Sequence, residues 1–249
     1  MVEILQWTTL IVCAVAALFR IPSALQGRNP SLFFIFVLAT AAAALSLEPI
    51  YLAVDPVLGG INITNLLLRL IVFATIYLVA LRVGKAFGPA DAHRLISGPA
   101  GLSVLGLFTA ALVAVFVLMD PAASSAGMAE LSGTSARNTT LLPLYWAVAR
   151  GYPAYVVIAL LPALIRSVTS RLPALVRAGA GLMAAGSAAT AMGFLLEFAG
   201  PGLDIHRSAV NNAAVVFFVL GLGMVWLARV RATGSGTSAT RPGTSSTAR

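Results

Sequence analysis

The sequence predicts an all-α, polytopic membrane protein: a single bundle of seven transmembrane helices. Of its 249 residues, 59% are hydrophobic and only 10% are charged, and the mean hydropathy is +0.94. Soluble domains carry roughly 25% charged residues. A chain this poor in polar side chains cannot cover a soluble globule, so its solvent is lipid. Seven apolar stretches follow one another between polar turns, and most are long enough to cross a hydrocarbon core of about 30 Å. The basic residues, finally, gather in alternate turns, as they do in membrane proteins of fixed orientation.

The first span covers about 4–19. Met1-Val2-Glu3 is not the basic opening of a signal peptide, and no Ala-x-Ala site follows the apolar run, so an uncleaved helix is expected. The second span, about 32–54, runs through Ala41–Ala44 to Glu48 and Pro49. Pro49 lacks a backbone donor and bends the helix beside Glu48. Asp55, Pro56, Gly59 and Gly60 form the next turn. The third span, about 61–82, is closed by Arg82 and Lys85 and followed by a polar loop holding Asp91, His93 and Arg94. The fourth, about 99–119, carries no charge, and residues 120–140 are an aperiodic run rich in Ala, Ser, Gly and Thr. A loop of that length is either functional or disordered.

The fifth span, about 141–165, contains Trp146, Arg150, Gly151 and Pro153. Trp146 and Arg150 stand one helical turn apart, close enough for a cation–π contact. The sixth, about 172–199, places Gly181, Ala185, Ala189 and Gly193 at every fourth position and ends near Glu197. Such a stripe of small residues lets two helices approach closely. The seventh span is about 208–230, and 232–249 reads as a disordered Gly/Ser/Thr tail. The transmembrane domain is therefore 1–231.

Topology follows from the basic residues. Arg20, Arg28, Arg82, Lys85, Arg94, Arg166, Arg171, Arg177, Arg229, Arg231, Arg241 and Arg249 fall on one side, against Arg137 and Arg207 on the other. The positive-inside rule then puts the N-terminus outside and the C-terminus in the cytoplasm, as in a multi-pass inner-membrane protein. The same asymmetry explains the net charge of +8 without invoking nucleic acid.

Two arginines, Arg69 and Arg150, are left inside spans. An arginine in hydrocarbon costs at least about 2.5 kcal/mol on insertion scales, so it faces protein or water and has a partner. Asn62, Asn65 and Arg69 share one face of the third span. At 1.5 Å per residue, Glu48, Arg69 and Arg150 lie roughly 10–13 Å below the outer surface. Glu48, Asn65, Arg69, Trp146, Arg150 and Glu197 are thus candidates for a buried outer-half site. Two interpretations stand. One is a structural Glu48–Arg69 ion pair, with Arg150 satisfied by carbonyls at the Gly151–Pro153 kink. The other is an outward-open cavity in which Arg69 and Arg150 hold an anion or carboxylate and Glu48 orients Arg69.

Most other chemistry is excluded. Lys85 is the only lysine and ends the third span, so no retinal Schiff base forms in the seventh. The single cysteine, Cys13, allows neither an intramolecular disulfide nor a cysteine-based metal site. His93 and His206 lie on opposite sides. No metalloprotease, phosphate-loop or nucleophile-elbow motif occurs. No metal or cofactor is expected, and no enzyme activity. The expected partners are the lipid bilayer and, through the 181–193 stripe, a second copy or another membrane protein.

The turn Leu58-Gly59-Gly60-Ile61-Asn62-Ile63-Thr64-Asn65-Leu66-Leu67 and the seven-span plan around it resemble a little-characterised actinobacterial family of integral membrane proteins described as transporters. The resemblance covers roughly residues 1–232. It implies transport of a small molecule. Many members continue into a cytoplasmic C-terminal domain, where this chain has its Gly/Ser/Thr tail. The chain shows no internal repeat, and seven spans do not divide into inverted halves. That favours a non-enzymatic sensor, scaffold or accessory membrane protein, with a small-molecule transporter as the alternative.

Overall fold

The computed structural model describes residues 2–27, 30–87, 90–120, 124, 128, 131, 134–196 and 204–236. All regular structure among them is helical. Six helices are each long and apolar enough to cross a membrane, and one sharply bent pair, Pro30–Leu45 with Glu48–Leu58, is either a broken seventh span or a re-entrant loop. Large apolar side chains such as Ile11, Leu107, Val117, Ile158 and Leu195 stand exposed on the outside of the bundle. A surface of this kind is tolerated in lipid and not in water.

Helix α1 (Val2–Leu18) buries Thr9, Cys13 and Ala17, four residues apart and so on one face. It turns through Phe19 and Arg20 into the short α2 (Ile21–Leu25), which has Pro22 in its first turn. Helix α3 (Pro30–Leu45) packs on α1 with Leu32, Ile35, Phe36, Ala39 and Ala43. The sequence predicts one span over 32–54, but the helix breaks at Ser46–Leu47. The Ser46 hydroxyl donates to the Ala43 carbonyl at 2.7 Å, offering the backbone an alternative to the helical ladder. Leu47 is extended and almost fully buried. Pro49 then sits in the first turn of α4 (Glu48–Val54), where its missing N–H costs nothing. The α4 segment, with the 3-10 turn Asp55–Leu58 that continues it, lies at 91° to α3.

Gly59, Gly60 and Asn62 take positive φ to reverse the chain. Helix α5 (Ile63–Phe87) follows, then α6 (Ala90–Ser97) where the sequence suggests a polar loop, and α7 (Pro99–Leu118). Helix α8 (Ala136–Val168) starts five residues before its predicted boundary. Ser135 caps it by accepting from the Asn138 amide at 3.1 Å. The Asn138 side chain accepts from the Asp120 amide at 2.9 Å and donates to the Asp120 carbonyl at 3.0 Å. The end of α7 is thereby fastened to the start of α8. Helices α9 (Ala174–Leu196) and α10 (Asp204–Gly236) complete the bundle. Helix α10 runs five residues past the predicted domain boundary. The remainder of the predicted tail, and Glu197, lie outside the described residues.

Helices α1, α3, α5, α8, α9 and α10 form a closed ring in which each packs on the next, and α7 lies outside it against α8, α5 and α6. One continuous core of buried side chains, among them Cys13, Ile35, Phe73, Leu160, Met183 and Val219, draws on all six. Helices α9 and α10 approach closely enough for backbone to meet backbone. A Cβ on Gly179 would lie 2.8 Å from the Gly221 carbonyl oxygen, and one on Gly221 would lie 2.8 Å from the Gly179 oxygen. The predicted stripe is therefore not the face that makes this contact within the chain. Ala185 is exposed, and Cβ atoms on Gly181 and Gly193 would meet only ordinary contacts at 3.8 and 3.7 Å. Gly179 and Gly181 are two residues, about 200°, apart around the helix, so the predicted stripe turns away from α10's backbone.

Candidate functional site

The site is assembled from α4, α5 and α8 at the end of the bundle where the Asp55 turn lies. Asp55 is fully buried, and its carboxylate accepts from the amides of Asn62 and Thr64, each at 3.0 Å, and from the Ser124 hydroxyl at 2.5 Å. The two amides belong to the start of α5, so the carboxylate caps that helix and meets the positive end of its dipole. Asn62 is held further by Tyr51 of α4, whose hydroxyl donates to its side-chain oxygen at 2.8 Å. The direction in which Asn65 and Arg69 leave α5 is therefore fixed.

One turn on, the Tyr145 hydroxyl of α8 donates to the Asn65 side-chain oxygen at 3.0 Å. The same hydroxyl lies within electrostatic reach of the Arg69 guanidinium. Tyr145 thus spends its one hydroxyl donor on the Asn65 amide oxygen, and the lone pairs of its oxygen remain to accept. The Arg69 guanidinium lies over the Trp146 ring, 4.7 Å from its centroid, and that of Arg150 lies 5.9 Å from the same centroid. Tyr145 and Trp146 meet edge to face with centroids 5.7 Å apart. Two guanidinium groups therefore share one indole. A desolvated cation–π contact contributes about 2 kcal/mol or more, comparable with the insertion cost of an arginine.

Of the sequence candidates, the structure brings Asn65, Arg69, Trp146 and Arg150 into one cluster, with Tyr145 as a member the sequence did not single out. It does not bring in Glu48. That residue is exposed in the first turn of α4, where its charge suits the helix N-terminus. The predicted Glu48–Arg69 ion pair is absent. Glu48's predicted depth assumed an unbroken second span, and the 91° bend removes it. The ion pair found among the described residues is the exposed Arg137–Asp120 contact at 3.3 Å. Arg69 Nε and Asn65 Nδ2 are buried with no hydrogen-bond partner among the described residues. Both are donors, so the cluster has unused capacity for an acceptor. No group of side chains that could hold a metal occurs among the described residues.

Comparison with family models, curated proteins and solved structures gave no match to this chain.

Proposed function

We propose that this chain is a non-enzymatic, multi-pass membrane protein that binds a small anion, a carboxylate foremost, at the Arg69–Trp146–Arg150 cluster, and serves as a sensor or accessory protein. One observation carries this. Arg69 lies over an indole and within electrostatic reach of the Tyr145 phenol, with no carboxylate paired to it and no hydrogen-bond partner for its buried Nε among the described residues. An uncompensated charge is costly in a poorly solvated site, and an incoming anion removes that cost. The second guanidinium, on Arg150, and the spare Asn65 amide donor suit the paired oxygens of a carboxylate. With twelve basic residues at the turns of one side against two on the other, we place this site in the outer half of the cell membrane.

The test is thermal unfolding of the detergent-solubilised protein in acetate, benzoate, succinate or inorganic phosphate, at matched ionic strength against chloride. A ligand at 100 times its Kd stabilises by about 2.7 kcal/mol. At least one carboxylate should raise the midpoint, and Arg69→Met should abolish that rise. A folded Arg69→Met protein with the same anion response as wild type would refute the proposal.

Transport is the second role to consider, because α5 carries Arg69 towards one end and Arg82 towards the other. The two are about 20 Å apart along the helix axis. Proteoliposomes loaded with labelled acetate decide it: protein-dependent efflux supports transport, and anion binding without efflux supports sensing.

A further inference from the structure

The opposite end of the ring holds a second basic cluster, unconnected with the first. Arg20, in the turn between α1 and α2, is only 3% exposed. Its guanidinium lies over the Trp226 ring of α10, 4.8 Å from the centroid. Its Nε and Nη2 are buried and have no hydrogen-bond partner among the described residues. The Trp226 ring also lines a narrow recess between α3, α5 and α10, with Arg82 and Arg229 on its walls beside Leu32 and Phe87. Arg20 is within electrostatic reach of Arg82, and Arg82 of Arg229. Arg20 thus lies against the indole that lines the recess, and Arg82 and Arg229, from two other segments, stand on the recess walls. No carboxylate pairs with Arg20 among the described residues.

Arg20 carries its charge and two donors without a partner among the described residues in a nearly dry setting, where an incoming anion removes an electrostatic cost. The recess holds about 10 Å³, room for one water or one phosphoryl oxygen. A larger group has to sit at its mouth, where the exposed Arg229 stands. The remaining walls are apolar, and the outer surface around them is the lipid-facing side of the bundle.

We propose that Arg20, Arg82 and Arg229 form a phosphate-binding site at this end of the bundle, the ligand being the phosphate of an anionic phospholipid or free phosphate. The planar guanidinium matches a phosphate in two parallel hydrogen bonds. The buried Arg20 supplies fixed donors, and the exposed Arg229 closes over the headgroup. Basic pockets between transmembrane helices are suited to anionic headgroups in this way. In a lipid complex the acyl chains would run along the apolar faces of α3 and α10.

The full-length protein is purified in mild detergent and its thermal midpoint measured with added phosphatidylglycerol, phosphatidylcholine or inorganic phosphate. Phosphatidylglycerol should raise the midpoint where phosphatidylcholine does not. A rise with inorganic phosphate as well supports the site with free phosphate as its ligand. Arg229→Gln, a surface change that leaves the fold intact, should weaken the responding ligand about fivefold. Arg20→Gln should weaken it about tenfold or more, if that protein folds. The proposal is overturned if neither phosphatidylglycerol nor phosphate shifts the wild-type midpoint, or if Arg229→Gln leaves the shift unchanged.

Discussion

Replacing Asp55 by alanine should destabilise the protein by about 3 kcal/mol. The carboxylate is completely buried and accepts three hydrogen bonds, two from amides that open α5 and one from Ser124. Losing a helix cap costs about 1 kcal/mol. Leaving two further buried donors without an acceptor costs at least about 1 kcal/mol each. Asp55→Asn keeps one acceptor oxygen and the shape but loses the charge, and should cost about 2 kcal/mol by the same reckoning. Ser124→Ala removes a single hydroxyl, worth about 1 kcal/mol. The order Ala, Asn, then the Ser124 variant is the diagnostic. It is measured by reversible unfolding in mixed micelles with rising SDS, followed by circular dichroism. If Asp55→Ala stayed within about 1 kcal/mol of wild type, or cost no more than Ser124→Ala, the carboxylate would not be what sets the start of α5 and the cluster beyond it.

Other consequences can be read in the same assay. Gly179→Ala should cost about 1–3 kcal/mol, because its Cβ meets a backbone carbonyl that has nowhere to move. Gly181→Ala and Gly193→Ala, where the space is ordinary, should stay within about 0.5 kcal/mol of wild type; equal costs at all three would restore the stripe predicted from sequence. Trp146→Leu should cost about 2 kcal/mol by removing the shared cation–π platform, while Glu48→Gln should change stability by less than about 0.5 kcal/mol. A large loss in Glu48→Gln would revive the ion pair with Arg69. Ser135→Ala should cost about 1 kcal/mol as a lost cap of α8, with increased proteolysis near Asp120 as a second readout.

The all-helical class and the presence of six long apolar helices were legible because hydrophobicity acts residue by residue and needs no partner. The local spacing of Trp146 and Arg150 likewise pointed to a real contact, since both lie on one helix. What escaped was set by three-dimensional neighbours. Apolar composition runs unbroken through Ser46–Leu47, so the second span read as continuous, and Glu48 was placed at a depth it does not have. Asp55 read as a turn residue, although an acid just ahead of Gly59, Gly60 and a new helix is the pattern of a cap. Ser135 with Asn138 three residues on was also a helix-start signal, hidden in a stretch that otherwise looks aperiodic. The small residues of α9 offer several possible faces, and only α10's Gly221 selects the one through Gly179. Tyr145 could not be distinguished from other interface aromatics until Asn65 and Arg69 were placed beside it. Arg20 read as one basic turn residue among twelve, and only its burial against Trp226 sets it apart.

The most direct test of the central claim uses the indole that the two arginines share. In a protein carrying Trp7→Phe and Trp226→Phe, Trp146 is the remaining tryptophan, and its emission reports the charge held against its ring. Titration with sodium acetate against sodium chloride at equal ionic strength should give a saturable change in that emission, and the change should vanish when Arg69→Met is added. An emission that stays flat in acetate, or that changes equally with and without Arg69, would contradict an anion site built on Arg69 and Trp146.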